Sequence, residues 1–259
     1  MLFSEFINEL RCIISEDIQE EWDNSGIQIK TDDSEIRRVL VALEITSDVI
    51  DEAVEKDVQL IITHHPLLFN GIKTVDTDNA SGRYITRLVR NGINVYSCHT
   101  NFDKMAGGNN DYICDILDLD EVGILFDEEF TRCGYCPERT LRETAELLAD
   151  KLETDISQFH IVGDPEQKIN FVGLCTGAGA EYIGAAALCG CDLYVTGDLK
   201  HHEAREAEEL GIAVIDAGHY GTEKIFPKAF ISVMIDNEFT YDIDFIESEC
   251  CNNPFNLLK

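Results

Sequence analysis

Val58-Gln59-Leu60-Ile61-Ile62-Thr63-His64-His65 is the stretch on which the fold turns. A short β-branched run closed by turn residues reads as a buried strand of a parallel sheet. In open α/β sheets ligands collect beyond the carboxyl ends of such strands, and here two imidazoles stand at that end. Consecutive side chains on a strand point to opposite faces. Once the chain leaves the strand, that divergence lets neighbouring histidines serve two different metal ions. The plainer alternative is that one histidine closes the strand while the other is solvated.

Working outward, three more predicted strands end in the same way. Gly92 to Cys98 runs into His99-Thr100-Asn101-Phe102-Asp103, and Ile212 to Asp216 runs into Ala217-Gly218-His219 and then Glu223. Cys191 to Val195 leads through Thr196-Gly197-Asp198 to His201-His202. Six of the seven histidines therefore follow predicted strands, and only His160 is read as structural. Imidazole together with carboxylate suits divalent zinc, manganese, iron, cobalt or nickel. His219 and Glu223 share one face if a helix starts near Gly218, and a carboxylate can bridge two cations. The expected ligands of a two-ion centre are His64, His65, Asp103, His219 and Glu223. His99 is a sixth ligand, a supporting group or a proton carrier, and Glu223 doubles as a candidate for proton transfer. Two such ions would polarise a scissile bond and lower the pKa of water, which is the chemistry of a hydrolase.

Strand–helix alternation surrounds these exits. Helices are expected over 2–15, 47–56, 81–90, 140–151, 182–188 and 199–210, with strands near 38–43, 169–175, 192–195 and 212–216. Such alternation makes a mostly parallel sheet with right-handed crossovers. The pattern restarts near Phe130, so two lobes are expected. The first takes 1–125 completed by 219–246, the second takes 126–218, and 247–259 forms a flexible tail.

The segments Glu21-Trp22-Asp23-Asn24-Ser25-Gly26, Ile62-Thr63-His64-His65-Pro66-Leu67, His99-Thr100-Asn101-Phe102-Asp103, Thr196-Gly197-Asp198-Leu199-Lys200 and Asp216-Ala217-Gly218-His219 with Glu223 resemble, in order, the motifs of the GTP cyclohydrolase 1 type 2 homologues, the Ngg-interacting-factor-like family. The resemblance runs from about Leu2 to Tyr241. It implies an α/β fold of two related three-layer lobes with mostly parallel sheets and a dinuclear metal site in the cleft between them. It also implies a ring-shaped homohexamer with its sites facing inward, and it carries the ligands onto His64, His65, Asp103, His219 and Glu223. Phe102 departs from the smaller aliphatic residue usual in the family. In His201-His202-Glu203, His202 is the better match and His201 an extra. With 259 residues, the chain has no room for the insertion some relatives carry between the lobes.

A hydrophobic content of 44% supports a packed core, so the formal charge of −30 does not signal disorder. It does argue against a broad nucleic-acid-binding face, which needs clustered Lys and Arg. The runs Asp127-Glu128-Glu129 and Glu206 to Glu209 read as solvated surface. A field of this sign attracts divalent cations and disfavours anionic substrates unless the metals reverse it locally. No signal peptide and no apolar run of bilayer length is expected, so the chain reads as cytoplasmic, without membrane contact, its ten cysteines reduced. Cys133-Gly134-Tyr135-Cys136 is a lone pair lacking a zinc-finger partner, and Cys250-Cys251 is a vicinal pair open to oxidation. Thr176-Gly177-Ala178-Gly179-Ala180 is a Gly-rich turn, structural or anion-cradling. Gly107 to Asn110 is read as a flexible rim, and Asp198 as either a support for a ligand histidine or a helix cap.

Two functional classes follow. One is a dinuclear metallohydrolase acting on a small cyclic amide, nucleotide or phosphoester. The other is a non-catalytic metal-binding, metal-delivery or regulatory interaction protein.

Overall fold

Leu60–Thr63, with all four side chains buried, is the central strand of a five-stranded sheet. The structure, a computed structural model, describes residues 1–239, 242–250 and 252–255. The chain divides into two compact units. The first comprises Met1–Met105 and Phe226–Asn252; the second comprises Ala106–Ile225 and the described residues from Asn253.

In chain order the first unit holds α1 (Phe3–Ile13), β1 (Gly26–Ile29), β2 (Arg38–Ala42), α2 (Ser47–Glu55), β3 (Leu60–Thr63), α3 (Ala80–Arg90), β4 (Asn94–Ser97) and α4 (Thr100–Lys104), then α10 (Phe226–Asp236) and β11 (Asp244–Glu247). Its sheet runs β1-β4-β3-β2-β11. β2, β3, β4 and β11 are parallel, and β1 closes one edge antiparallel to β4. The helices start where side chains satisfy the first free amides: Thr46 accepts from Val49 N, and Asn79 accepts from Gly82 N at 2.8 Å. The strands are apolar on both faces because both are covered. Leu40, Ala42, Ile61 and Val95 pack with Val49, Ile50 and Ala53 of α2 and Leu88 of α3. Val39 and Val41 alternate to the other side and are also fully buried. Phe6, Phe230, Phe239 and Phe245 form a ring cluster in the same unit, with Phe6 and Phe239 edge to face at 5.2 Å.

The second unit holds α5 (Asn109–Ile116), β5 (Asp120–Leu125), β6 (Glu128–Thr140), α6 (Leu141–Lys151), β7 (His160–Val162), β8 (Lys168–Leu174), α7 (Ile183–Cys189), β9 (Leu193–Thr196), α8 (His201–Leu210), β10 (Ala213–Asp216) and α9 (His219–Glu223). Its six-stranded sheet runs β5-β6-β8-β9-β10-β7. β8, β9 and β10 repeat the parallel strand–helix–strand plan of the first unit. The sheet as a whole is mixed, because β6 pairs antiparallel with both β5 and β8, and β7 pairs antiparallel with β10. The fold is thus mixed α/β with two sheets. The mostly parallel description suits the first sheet, whereas hairpin pairing takes over at the edges of the second.

The units divide at 105/106 and 225/226, whereas the lobes expected from sequence divided at 125/126 and 218/219. α5 stays with the second unit because Asp111 pairs with Arg132 of β6 at 2.5 Å and Asn110 bonds both Phe130 O and Thr176 N. α9 stays there because Thr222 Oγ1 accepts from Gly177 N and Lys224 donates to Glu153 O. Of the tail expected over 247–259, Glu247 ends β11 and Ser248 Oγ donates to Glu52 at 2.6 Å. Cys251 and residues 256–259 lie outside the described residues, so the vicinal cysteine reading does too. The nine described cysteines are free thiols. Cys133 and Cys136 lie along one strand, where three residues span roughly 10 Å, so the extended backbone holds them apart. Among the described residues no helix is long and apolar enough to cross a membrane.

Candidate metal centre

In the first unit β3 delivers His64 and His65 to its carboxyl end. Their backbone amides donate to Leu43 O beyond β2, which holds the turn beside the neighbouring strand. Thr63 Oγ1 donates to His65 O at 2.9 Å and contacts Ser97 Oγ at 2.8 Å, tying the same turn to β4. The His64 ring is fully buried, with Nδ1 2.8 Å from Cys98 O. A carbonyl oxygen only accepts, so Nδ1 carries the proton and Nε2 offers a lone pair. That Nε2 lies 3.5 Å from Asp103 Oδ2. Asp103 is buried on α4, one turn after His99, whose carbonyl accepts its amide. His65 is half-buried, with Nδ1 3.9 Å from Glu44 Oε2 and its ring centroid 5.2 Å from that of His64.

His99 stands at the end of β4, its ring 5.1 Å from His64 and 5.9 Å from His65. Its Nδ1 lies 2.8 Å from Asp23 Oδ1. The fully buried Asp23 side chain also accepts from Ser25 Oγ at 2.7 Å and from Thr100 Oγ1 at 2.6 Å, and Ser25 Oγ accepts from His99 N. Burial alone would push the Asp23 carboxyl up. The bonds from His99, Thr100 and Ser25 outweigh it and hold the group ionised, well below the usual carboxylate range. Asp23 was not among the residues singled out from sequence. Its signal was the Trp22-Asp23-Asn24-Ser25-Gly26 segment, but nothing local assigns it to a histidine 76 positions away.

In the second unit β10 leads through Gly218 into α9, which places His219 and Glu223 on one face. His219 Nδ1 is 2.9 Å from Asp198 Oδ2, and its Nε2 is 2.9 Å from Glu223 Oε2. A neutral imidazole carries a single N–H and can serve only one of two carboxylates. The other contact requires a second proton or a cation between the atoms, so this donor set fits a metal ion. The backbone is shaped around it. Gly177, at φ +66°, leaves room that a Cβ would take only 2.1 Å from Glu223 Oε1, and a Cβ on Gly197 would fall 2.5 Å from His219 N.

Asp198 thus orients His219. It is not the helix cap, because α8 begins at His201 and Lys200 N donates to Glu203. The Gly-rich turn is structural: the amides of Thr176, Gly177 and Gly179 donate to Asn110, Thr222 and Thr196, so these three are not available to an anion. Gly107 to Asn110 is no loose rim, since Asn109 and Asn110 open α5 fully buried. His201 and His202 are exposed on the first turn of α8. His160 is exposed on β7, with Nδ1 3.2 Å from Asp216 Oδ2.

Residues 1–254 match the family described as Duf34/NIF3 (NGG1p interacting factor 3). The chain is 32% identical over 267 residues to a GTP cyclohydrolase 1 type 2 homolog of Clostridium perfringens, covering 100% of both chains. It is 32% identical over 262 residues to a Helicobacter pylori protein named GTP cyclohydrolase 1 type 2, covering 99% of each. The crystal structure of a Staphylococcus aureus hypothetical protein superposes with a TM-score of 0.92 at 27% identity, covering 100% of this chain and 99% of that one.

Proposed function

The chain belongs to the Duf34/NIF3 family, and from that footing we propose that it binds two divalent metal ions and uses them to hydrolyse a small cyclic amide, nucleotide or phosphoester. The ligands in this reading are His64, His65 and Glu223, completed by Asp103 and His219. The observation that carries the reading is the same device used twice. His64 and His219 each have Nδ1 engaged, by Cys98 O and by Asp198, and each turns Nε2 toward a buried carboxylate, Asp103 or Glu223. Such outer partners set the tautomer and ring orientation that metal-binding histidines need.

The ions would polarise the scissile bond and lower the pKa of water. The side chains do the remaining work. Asp23 accepts from Nδ1 of His99, so His99 Nε2 is the ring atom placed to take and return a proton. Glu223, buried against Nε2 of His219, is the second proton-handling group in this proposal.

A second reading is metal binding without turnover. It is favoured by the charge of −30, which concentrates cations and repels anionic substrates. A cytoplasmic location and a ring-shaped homohexamer belong to the same proposal, carried by the family resemblance.

The decisive experiment is elemental analysis of untagged protein purified without chelators, next to Glu223→Ala. Close to two divalent ions per chain, with a clear loss in the variant, is the expected result. An empty protein that also refuses added metal sinks both readings. Hydrolysis that disappears in His65→Ala, while the circular dichroism spectrum is retained, separates enzyme from metal carrier.

A further inference from the structure

We propose that Trp22 and Phe69 form an aromatic platform on which a planar nitrogen heterocycle, uncharged or cationic, stacks beside His99. Trp22, the chain's single tryptophan, is 58% exposed and Phe69 is 45% exposed. Their ring centroids are 6.0 Å apart, and each meets His99, Trp22 at 6.2 Å and Phe69 at 6.0 Å. The interplanar angles are 59°, 77° and 88°, tilted or edge contacts that still leave Trp22 and Phe69 exposed to solvent. Open ring faces are what an incoming π-system stacks upon.

The backbone beneath the two rings is fixed. Asn24 Nδ2 donates to Leu68 O at 2.8 Å, Leu68 N donates to Gln28 Oε1 at 3.0 Å, and Gln28 Nε2 donates to Asn24 O at 2.6 Å. These bonds lock the loop carrying Phe69 to the segment carrying Trp22. Between Trp22 and Asn24, Asp23 is anchored to Ser25, His99 and Thr100. Large rings held exposed on ordered backbone are set up for binding, because little freedom remains to be lost when a ligand arrives.

The surroundings choose the ligand. Both rings meet the polar ring of His99, which in turn lies 5.9 Å from His65, and that suits a flat molecule with ring nitrogens better than an aliphatic chain. Asp23 and Glu44 lie next to those histidines, and the whole chain is strongly acidic. That field selects against a free anion and favours a neutral or positively charged ring. The platform is a substrate-positioning surface for the hydrolase proposed above and rests on that reading only for what lies beyond His99.

Trp22 emission reports the platform directly, without metal or turnover. Protein is titrated with adenosine, cytidine and 7-methylguanosine, with ribose as the non-aromatic control, in chelator and again with manganese. Saturable quenching by the nucleosides and none by ribose is expected. By calorimetry Trp22→Ala and Phe69→Ala should bind adenosine about tenfold or more weakly, the loss that removal of one stacking ring brings. Trp22→Phe, which keeps a ring, should bind nearly as well as wild type, and so should Val89→Ala on α3. A response shared with ribose, or Trp22→Ala binding unchanged, overturns the platform. So does emission that shifts with protein concentration and not with nucleoside, which would make the patch a contact between copies of the chain. Metal content measured on the manganese-treated samples tests the metal centre separately: protein that is quenched by nucleoside but takes up no manganese counts against that reading and leaves the platform standing.

Discussion

At the residue scale the organising group is Asp23. It is a buried carboxylate satisfied by five donors, one each from Asn24, Ser25 and His99 and two from Thr100. Through it, the orientation of His99 depends on a loop that lies before the first strand of the sheet. Asp23→Asn keeps the shape but replaces a charged acceptor by an amide that can accept at one atom only. The expected cost is about 1–3 kcal/mol of stability, read from urea denaturation midpoints. The neutral His99 ring should also lose its single preferred tautomer, read from the nitrogen NMR shifts of the imidazole. Metal content should survive, since Asp23 is not one of the proposed ligands. A wild-type-like tautomer in Asp23→Asn would refute the positioning role.

At the element scale the C-terminal return to the first sheet shows how one buried acid fastens a strand. β11 lies parallel to β2, and just beyond it Ser248 Oγ and Glu249 N donate to Glu52 on α2, which also pairs with Lys56 at 2.6 Å. Burial would raise the Glu52 carboxyl, but the bonds from Lys56, Ser248 and Glu249 reverse this and hold it below its ordinary value of 4.5. A carboxyl whose pKa is lower in the folded chain contributes stability above its unfolded pKa and loses it as the pH falls through the folded value. Glu52→Gln should therefore be less stable by on the order of 1–2 kcal/mol at neutral pH. The gap should close below pH 4.5. Thermal melts of both proteins across the acid range check this, and a gap independent of pH would show that packing rather than charge is lost.

At the scale of the whole molecule, fifty acidic residues against twenty basic ones leave a self-repelling surface. Ionic strength screens this repulsion within about 10 Å at 0.1 M salt. Added sodium chloride should then raise the melting temperature of chelator-treated protein by several degrees, while divalent affinity falls over the same range. A melting temperature that drops or stays flat with salt would show that local ion pairs such as Arg132–Asp111 outweigh the net field.

What the sequence determined by itself was local in its physics. Buried parallel strands announce themselves as short β-branched runs, and a histidine placed just after one is legible without knowing its neighbours. Hence β3, β4, β9 and β10, the crossover helices between them, and the candidate ligands His64, His65, Asp103, His219 and Glu223 were all readable from pattern and spacing. β1, β7 and the β5–β6 hairpin were not. They are short, or largely exposed like Val122 and Ile124, and the acidic run through Glu128 and Glu129 that reads as plain surface opens the longest strand. Only the tertiary structure decided which nitrogen of each histidine is presented and that the Gly-rich turn keeps its amides for Asn110, Thr222 and Thr196. It alone brought Asp23 to His99 and set Trp22 against Phe69. Each of these is a choice of hydrogen-bond or ring partner between distant segments. Folding settles such choices by satisfying buried polar groups all together, a condition that no window of sequence contains.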